Sequence, residues 1–266
     1  MPCIYAHDRF GRLVYADLKG DVKAIIQKYY RQFQIGLQGP DIFFFHKVYF
    51  GGNKVTRYGT ALHEASAYAL FEHALQVIEK TGKDSPEYAY ILGVVGHFSL
   101  DSEAHHYVNA LIEETGMQHI EIEEEFDKML LRMDDQNPFT YPLQELVPTD
   151  FYTAQAIEPF YADFIDVAIV QRALKDMKFI KTFFYAPNDL KYHAISGLMK
   201  CTLTYYPYVK GYMHQRKDHP NASISNEVLL QRFNGAISVC ETLIYAFDQA
   251  VDVGCALPKR FDRNFE

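Results

Sequence analysis

The amino-acid sequence predicts an all-α fold, on three observations. Apolar residues recur at helical spacing along most of the chain, as in Val22, Ile25, Ile26 and Tyr29. Helix start and stop signals bracket the long periodic segments: Ser85-Pro86-Glu87 sets a cap residue before a proline at the first helical position, while Gly82 and Gly116 stand where periodic runs end. Strand-like alternation is almost absent.

Residues 1–19 are mixed and short-patterned. A helix is predicted from Asp21 to Phe33, broken by Gly36 and Gly39-Pro40. Asp41 to Phe50 has a strand-like composition, but Gly51-Gly52-Asn53 and the flanking helices favour an aromatic-rich loop. Its Phe43–Phe45 run and Tyr49-Phe50 are expected to be core rather than lipid pocket. Thr60 can cap a helix to Lys80, with His63 in its first turn. The helix after Ser85 reaches Thr115 and is apolar nearly all round at Tyr90, Ile91, Leu92, Val94, Val95, Phe98 and Leu100, so it should run through the core, with Gly93 and Gly96 admitting close neighbours. A further helix is expected from His119 to Met133. Asp134-Asp135-Gln136-Asn137-Pro138 is the best internal boundary, dividing the chain into regions 1–135 and 136–266 that pack as one unit. Beyond it, helical patterns fall at Phe151–Phe164, Asp166–Tyr185, Asn188–Thr204 and Ser225–Val253.

The chain has 266 residues, enough for one large domain or two smaller ones. A formal charge of −8 argues against broad electrostatic affinity for nucleic acid or anionic membrane, although bound divalent cations would reverse the local field. Cys3, Cys201, Cys240 and Cys255 form no C-x-x-C pair and are read as reduced and unrelated to metal. No signal peptide is visible and no run approaches the ~20 apolar residues of a membrane span, so a cytoplasmic location is expected.

The chemistry concentrates in His97-Phe-Ser-Leu-Asp101-Ser-Glu-Ala-His105 and His119-Ile-Glu-Ile-Glu123. Residues four apart on a helix drift by only ~40°, so His97, Asp101 and His105 share one face, and His119 and Glu123 repeat the spacing on the next helix. Imidazole and carboxylate at that spacing can grip one metal ion. His106 adjoins His105 but points ~100° away. Taken singly, each of these residues is more often an ordinary surface group; five at such spacings make that reading much weaker.

With Gly39-Pro40-Asp41, His63 and an early His7 upstream, the order H, G-P-D, H, H-x3-D-x3-H, H-x3-E resembles the zinc-dependent phospholipase C family. Related zinc-dependent nucleases share the ligand order. The resemblance covers roughly residues 2–135 and implies a helical bundle with two or three zinc ions in a cleft. By position, His63, His97, Asp101 and Asp41 would hold or flank one zinc, and His105, His119 and Glu123 a second. Asp101 would bridge to a third, completed by His7 and Pro2 after loss of Met1. Asp41 would be a ligand or a catalytic base. Two metals ~3.5–4 Å apart would share a hydroxide that attacks phosphorus in line.

The implied activity is hydrolysis of a small phosphate ester or phospholipid, with transient membrane contact. The alternatives are a nuclease, which the acidic balance disfavours, and a non-catalytic protein stapled by zinc. Secreted members begin with Trp, whereas here Pro2 follows Met1. The positions matching their choline pocket are Tyr5, Ile42 and Thr60, where an acid is missing.

Overall fold

A computed structural model describes residues 4–265, the side chains of 207 and 208 excepted. Among them there is no strand; twelve α-helices and short 3-10 turns form the regular structure, as the periodicity predicts. Helix α1 spans Ile4–Asp17, where the sequence pattern is mixed. Its buried face includes His7 and Asp8 among Tyr5, Phe10 and Val14, and these polar members interrupt the apolar stripe that would have announced it. The helix expected over Asp21–Phe33 is two, α2 (Gly20–Lys28) and α3 (Tyr30–Gly36), parted at Tyr29, where φ is −117° and ψ 40°.

Gly39–Phe45 and Val48–Phe50 are 3-10 turns, so the aromatic segment is a loop and not a strand. Helix α4 (Lys54–Glu64) starts earlier than Thr60. Asn53 accepts from the backbone N–H of Val55 and Thr56, and Thr56 Oγ1 accepts from that of Asn53, which completes a capping box. A separate α5 (Tyr68–Thr81) ends at Gly82, and His63 lies in the last turn of α4 and not in a first turn.

The long helix α6 (Pro86–Thr115) begins where Ser85 Oγ accepts from Tyr88 N–H and ends at Gly116, whose φ of 70° suits a residue without Cβ. Helix α7 (His119–Met133) follows, then α8 (Phe151–Ile157), α9 (Val167–Phe184), α10 (Asp189–Lys200), α11 (Tyr206–Val209) and α12 (Ala222–Val253). Helix α12 lies along α6, and their facing residues, with Phe10, Phe71 and Phe261, belong to one buried core. Phe43 and Phe45 join that core as expected, whereas Tyr49 and Phe50 are exposed.

Glycine sets the distance between α3 and α6. A Cβ on Gly93 would stand 2.2 Å from Phe33 O, and one on Gly36 equally close to Tyr90 O, so the two backbones touch at the crossing. That contact carries the end of α3, and the Gly39-Pro40-Asp41 turn after it, onto the polar half of α6.

Helix α7 is fixed by charge as well as packing. Lys128, fully buried, lies 3.0 Å from Glu125, 3.2 Å from Glu124 and 3.0 Å from Asp218. Glu124 and Glu125 accept from the N–H groups of Gln215 and His219 and strap residues 215–219 onto α7. In the same segment His214 Nδ1 donates to Pro138 O at 2.7 Å, and burial lowers its pKa to about 4.

The folded state therefore prefers neutral His214 more strongly than the free chain does, and its contribution should be lost as pH falls from about 6.5 toward 4. Comparing denaturant midpoints at pH 7 and pH 5, His214→Asn should lose about 1 kcal/mol less than the wild type, a figure discounted for the partial exposure of the ring. An equal loss in both proteins would contradict this.

Candidate metal centre

The ligand series converges from five places in the chain. His97, Asp101 and His105 share a face of α6, His119 and Glu123 come from the first turns of α7, and His7 from α1. Asp41 sits in the turn after α3 and His63 at the end of α4. Within this set three groups bring ligand atoms within 4.8 Å of one another: Asp41/His63/His97, His7/His97/Asp101 and His105/His119/Glu123. Pro2, expected as a further ligand, lies outside the described residues, as does Cys3. His106 is exposed, as its angle predicts.

Local backbone demands explain the arrangement. Gly39 has a φ of 49°, and a Cβ there would stand 2.4 Å from the His97 ring. Only glycine lets the turn pass so close, and Pro40 then starts the 3-10 turn that holds Asp41 at the ring. Helix α1 is docked by Asp127 of α7, which accepts from the N–H groups of Tyr5 and Ala6 at 3.2 and 2.8 Å. These first-turn donors have no partner within the helix, so the carboxylate caps α1 and sets His7 beside α6. Asp134 adds hydrogen bonds from Tyr5 Oη and Arg9 Nε. The role of Asp127 is not readable from sequence, because its partners lie more than 120 residues away.

Tetrahedral zinc with bonds of ~2.0–2.1 Å would separate its N and O ligands by roughly 3.3–3.4 Å. Asp101 Oδ1 is 3.2 Å from His7 Nε2 and 3.6 Å from His105 Nε2, while its Oδ2 is 3.2 Å from His97 Nε2. His63 Nε2 and Asp41 Oδ1 are 2.8 Å apart, and His97 stands 3.9 Å from that oxygen. Glu123 Oε1 is 3.0 Å from His119 Nε2 and 3.8 Å from His105 Nε2. His97 Nε2 and Asp101 Oδ2, although 3.2 Å apart, are not aligned to hydrogen-bond each other, as suits lone pairs facing a common point.

Two histidines are fixed from behind. His63 Nδ1 donates to Gly59 O at 2.8 Å and His97 Nδ1 to Leu37 O at 3.2 Å, which leaves each Nε2 free as a lone-pair donor. Burial lowers the pKa of His97 to about 4, so it is neutral near pH 7, the form a metal needs. Burial alone would raise the pKa of Asp101, but the imidazoles of His97, His105 and His7 outweigh it and hold the carboxyl ionised. Deep burial of several carboxylates together is costly unless positive charge is supplied, by protonated histidine or by a metal ion, and the donor set of N and O atoms suits zinc. A small pocket bordered by His7, Asp101, His105 and Glu123, and otherwise walled by apolar residues such as Leu100, Val108, Phe126 and Leu229, lies beside the cluster.

The cluster is closed on one side and open on another. Phe265, fully buried, packs its ring 5.3 Å from the His63 ring and 5.6 Å from that of His97, and its N–H donates to His63 O. His119 is 32% exposed at its side chain, against 7% or less for the other residues of the three groups, and borders a groove of about 1010 Å³. Thr60 lines that groove, but Tyr5 and Ile42 are buried in the core, so the three positions matched to a choline pocket do not form one.

Phe265→Leu should cost about 1 kcal/mol, the usual scale for a near-volume-conserving core change. It should also weaken zinc retention against a chelator, because the ring walls two of the imidazoles. Unchanged zinc retention would show that the ring only fills space.

A family model described as zinc dependent phospholipase C matches residues 6–176, well over half of the chain and beyond the Asp134–Pro138 run. The chain belongs to that zinc-dependent phospholipase C family. No curated protein and no solved structure matches it.

Proposed function

We propose that the protein is a zinc-dependent hydrolase of phosphate esters, a phospholipase C-like phosphodiesterase. The observation that carries this reading is Asp101, whose two carboxylate oxygens face different imidazoles, Oδ2 toward His97 and Oδ1 toward His7 and His105. A carboxylate so shared suits a bridge between ions, whereas a structural zinc site closes four ligands around one ion. On this reading Asp41, His63, His97 and Asp101 would hold or flank one zinc, and His105, His119 and Glu123 would hold a second. His7 and Asp101 take part in a third that Pro2 would complete. Zinc, when bound, supplies positive charge for phosphoryl oxygens and lowers the pKa of water.

The chain's own residues supply orientation. Leu37 O and Gly59 O hold the tautomers of His97 and His63, and the half-buried His119 marks the side from which substrate enters. Asp41 is either a ligand or the group that takes the proton of the attacking water. Its conversion to Asn separates the two: loss of one zinc equivalent marks a ligand, and retained zinc with kcat down on the order of 10²–10⁴ marks a base.

The test is hydrolysis of an aryl phosphodiester and of a phospholipid, with and without chelator. Chelator-sensitive turnover of either supports the proposal. No turnover with zinc bound would instead favour a zinc-stapled helical protein, and cleavage of single-stranded DNA alone would favour a nuclease.

A further inference from the structure

The loop between the first 3-10 turn and α4 is unlike the rest of the surface. Phe50, at its tip, is 81% exposed, and Val48 and Tyr49 beside it are exposed as well. The tip is held in place. Tyr49 Oη donates to Asp176 Oδ1 at 3.0 Å, Lys47 N–H donates to the same carboxylate, and the Phe50 ring packs edge-on against Tyr49. Lys47 (φ 48°) and Gly51 (φ 88°) reverse the chain on either side.

Charge around the tip has one sign. From Ile42 to His63 there is no Asp or Glu, although the chain carries 34 of them, and Lys47, Lys54 and Arg57 are all exposed. The carboxylate beneath the loop, Asp176, is buried and paired with Arg172 at 2.9 Å. Behind the tip the apolar groove, lined by Phe44, Val48, Tyr49, Ile180, Phe184 and Tyr212, leads to His119.

We infer that this loop docks the protein on an anionic phospholipid bilayer, with Phe50 entering the boundary between headgroups and acyl chains and Lys47 and Lys54 meeting lipid phosphates. An exposed aromatic ring flanked by cations is the pattern that gains from both the apolar interior and the negative potential of such a surface. A second copy of the chain is a poorer occupant, because a stable dimer buries about 800 Å² per partner and a single 3-10 turn cannot supply that. What the groove receives rests on the phosphate-ester reading; the docking does not, since it is read by binding alone.

The experiment is flotation of zinc-loaded protein with vesicles of phosphatidylcholine, with and without phosphatidylglycerol, at low and high salt. Binding should require phosphatidylglycerol and weaken with salt. Phe50→Ser should weaken it about tenfold or more, and Lys47→Gln/Lys54→Gln to a similar extent. All forms should hydrolyse a soluble aryl phosphodiester equally, because neither change touches the metal cluster.

Absence of binding by the unaltered protein, or equal binding by Phe50→Ser, would overturn the inference. So would self-association that Phe50→Ser abolishes without any vesicle binding. Vesicle binding without turnover of any ester would leave the docking standing and remove the hydrolase reading; turnover without binding would do the reverse.

Discussion

Asp101→Asn should remove at least one zinc equivalent and lower phosphodiester turnover on the order of 10³-fold, the scale seen when one preorganised charge-stabilising group is lost. The amide keeps the shape of the carboxylate but not its charge, and Asp101 is the residue whose two oxygens face three imidazoles. The variant should still fold without metal, because a buried negative charge has been deleted and the side chain retains hydrogen-bonding atoms. Added zinc raises the melting temperature of the unaltered protein by mass action, and that rise should be largely absent in Asp101→Asn. His106→Ala supplies the control: its side chain is exposed and points ~100° away from His105, and zinc content and rate should not change. Equal damage from the two substitutions would mean that Asp101 is not at the metals.

Lys128→Met should cost about 3–5 kcal/mol at neutral pH, the usual range for breaking a buried ion pair from one side. Methionine fills similar volume, so the loss is one of charge: Glu124, Glu125 and Asp218 remain without the ammonium that lies 3.0–3.2 Å from each. Glu124 gives the prediction a pH signature. Burial pushes its carboxyl up to about 8, with Lys128 working the other way. A group whose folded pKa is raised stabilises below its unfolded value and loses that contribution as pH climbs toward the folded one. The variant's deficit should therefore shrink at pH 5 and widen at pH 8. A urea-unfolding series would show it, and a deficit below about 1 kcal/mol, or one that grows on acidification, would contradict the network.

What could be read from the sequence was local. Ser85, Gly116 and the ends of the His119–Met133 helix depend on residues within a turn of each other, and the structure has them where they were expected. The ligand spacing on α6 and α7 is local too, which is why those five side chains were visible together.

The misses have a shared cause. Helix α1 was obscured because His7 and Asp8 occupy positions on its buried face, so the placement that brings His7 to the cluster also erased the helix's periodic signal. Glu124 and Glu125 stand in sequence only as acids near the start of a helix, but Lys128 and the 215–219 segment bury them. Composition made Tyr49 and Phe50 core residues, and although Gly51-Gly52-Asn53 marks a loop, it does not say that the loop lifts them into solvent. Asp127 capping α1 and Phe265 walling His63 and His97 are contacts between residues more than 120 positions apart.

The most direct test of the metal cluster is elemental analysis of protein purified without chelator and supplied with zinc. Three convergent groups, two of them sharing His97, with Asp101 facing His7, His97 and His105, predict two or three equivalents of zinc per chain. Less than one equivalent would contradict the account.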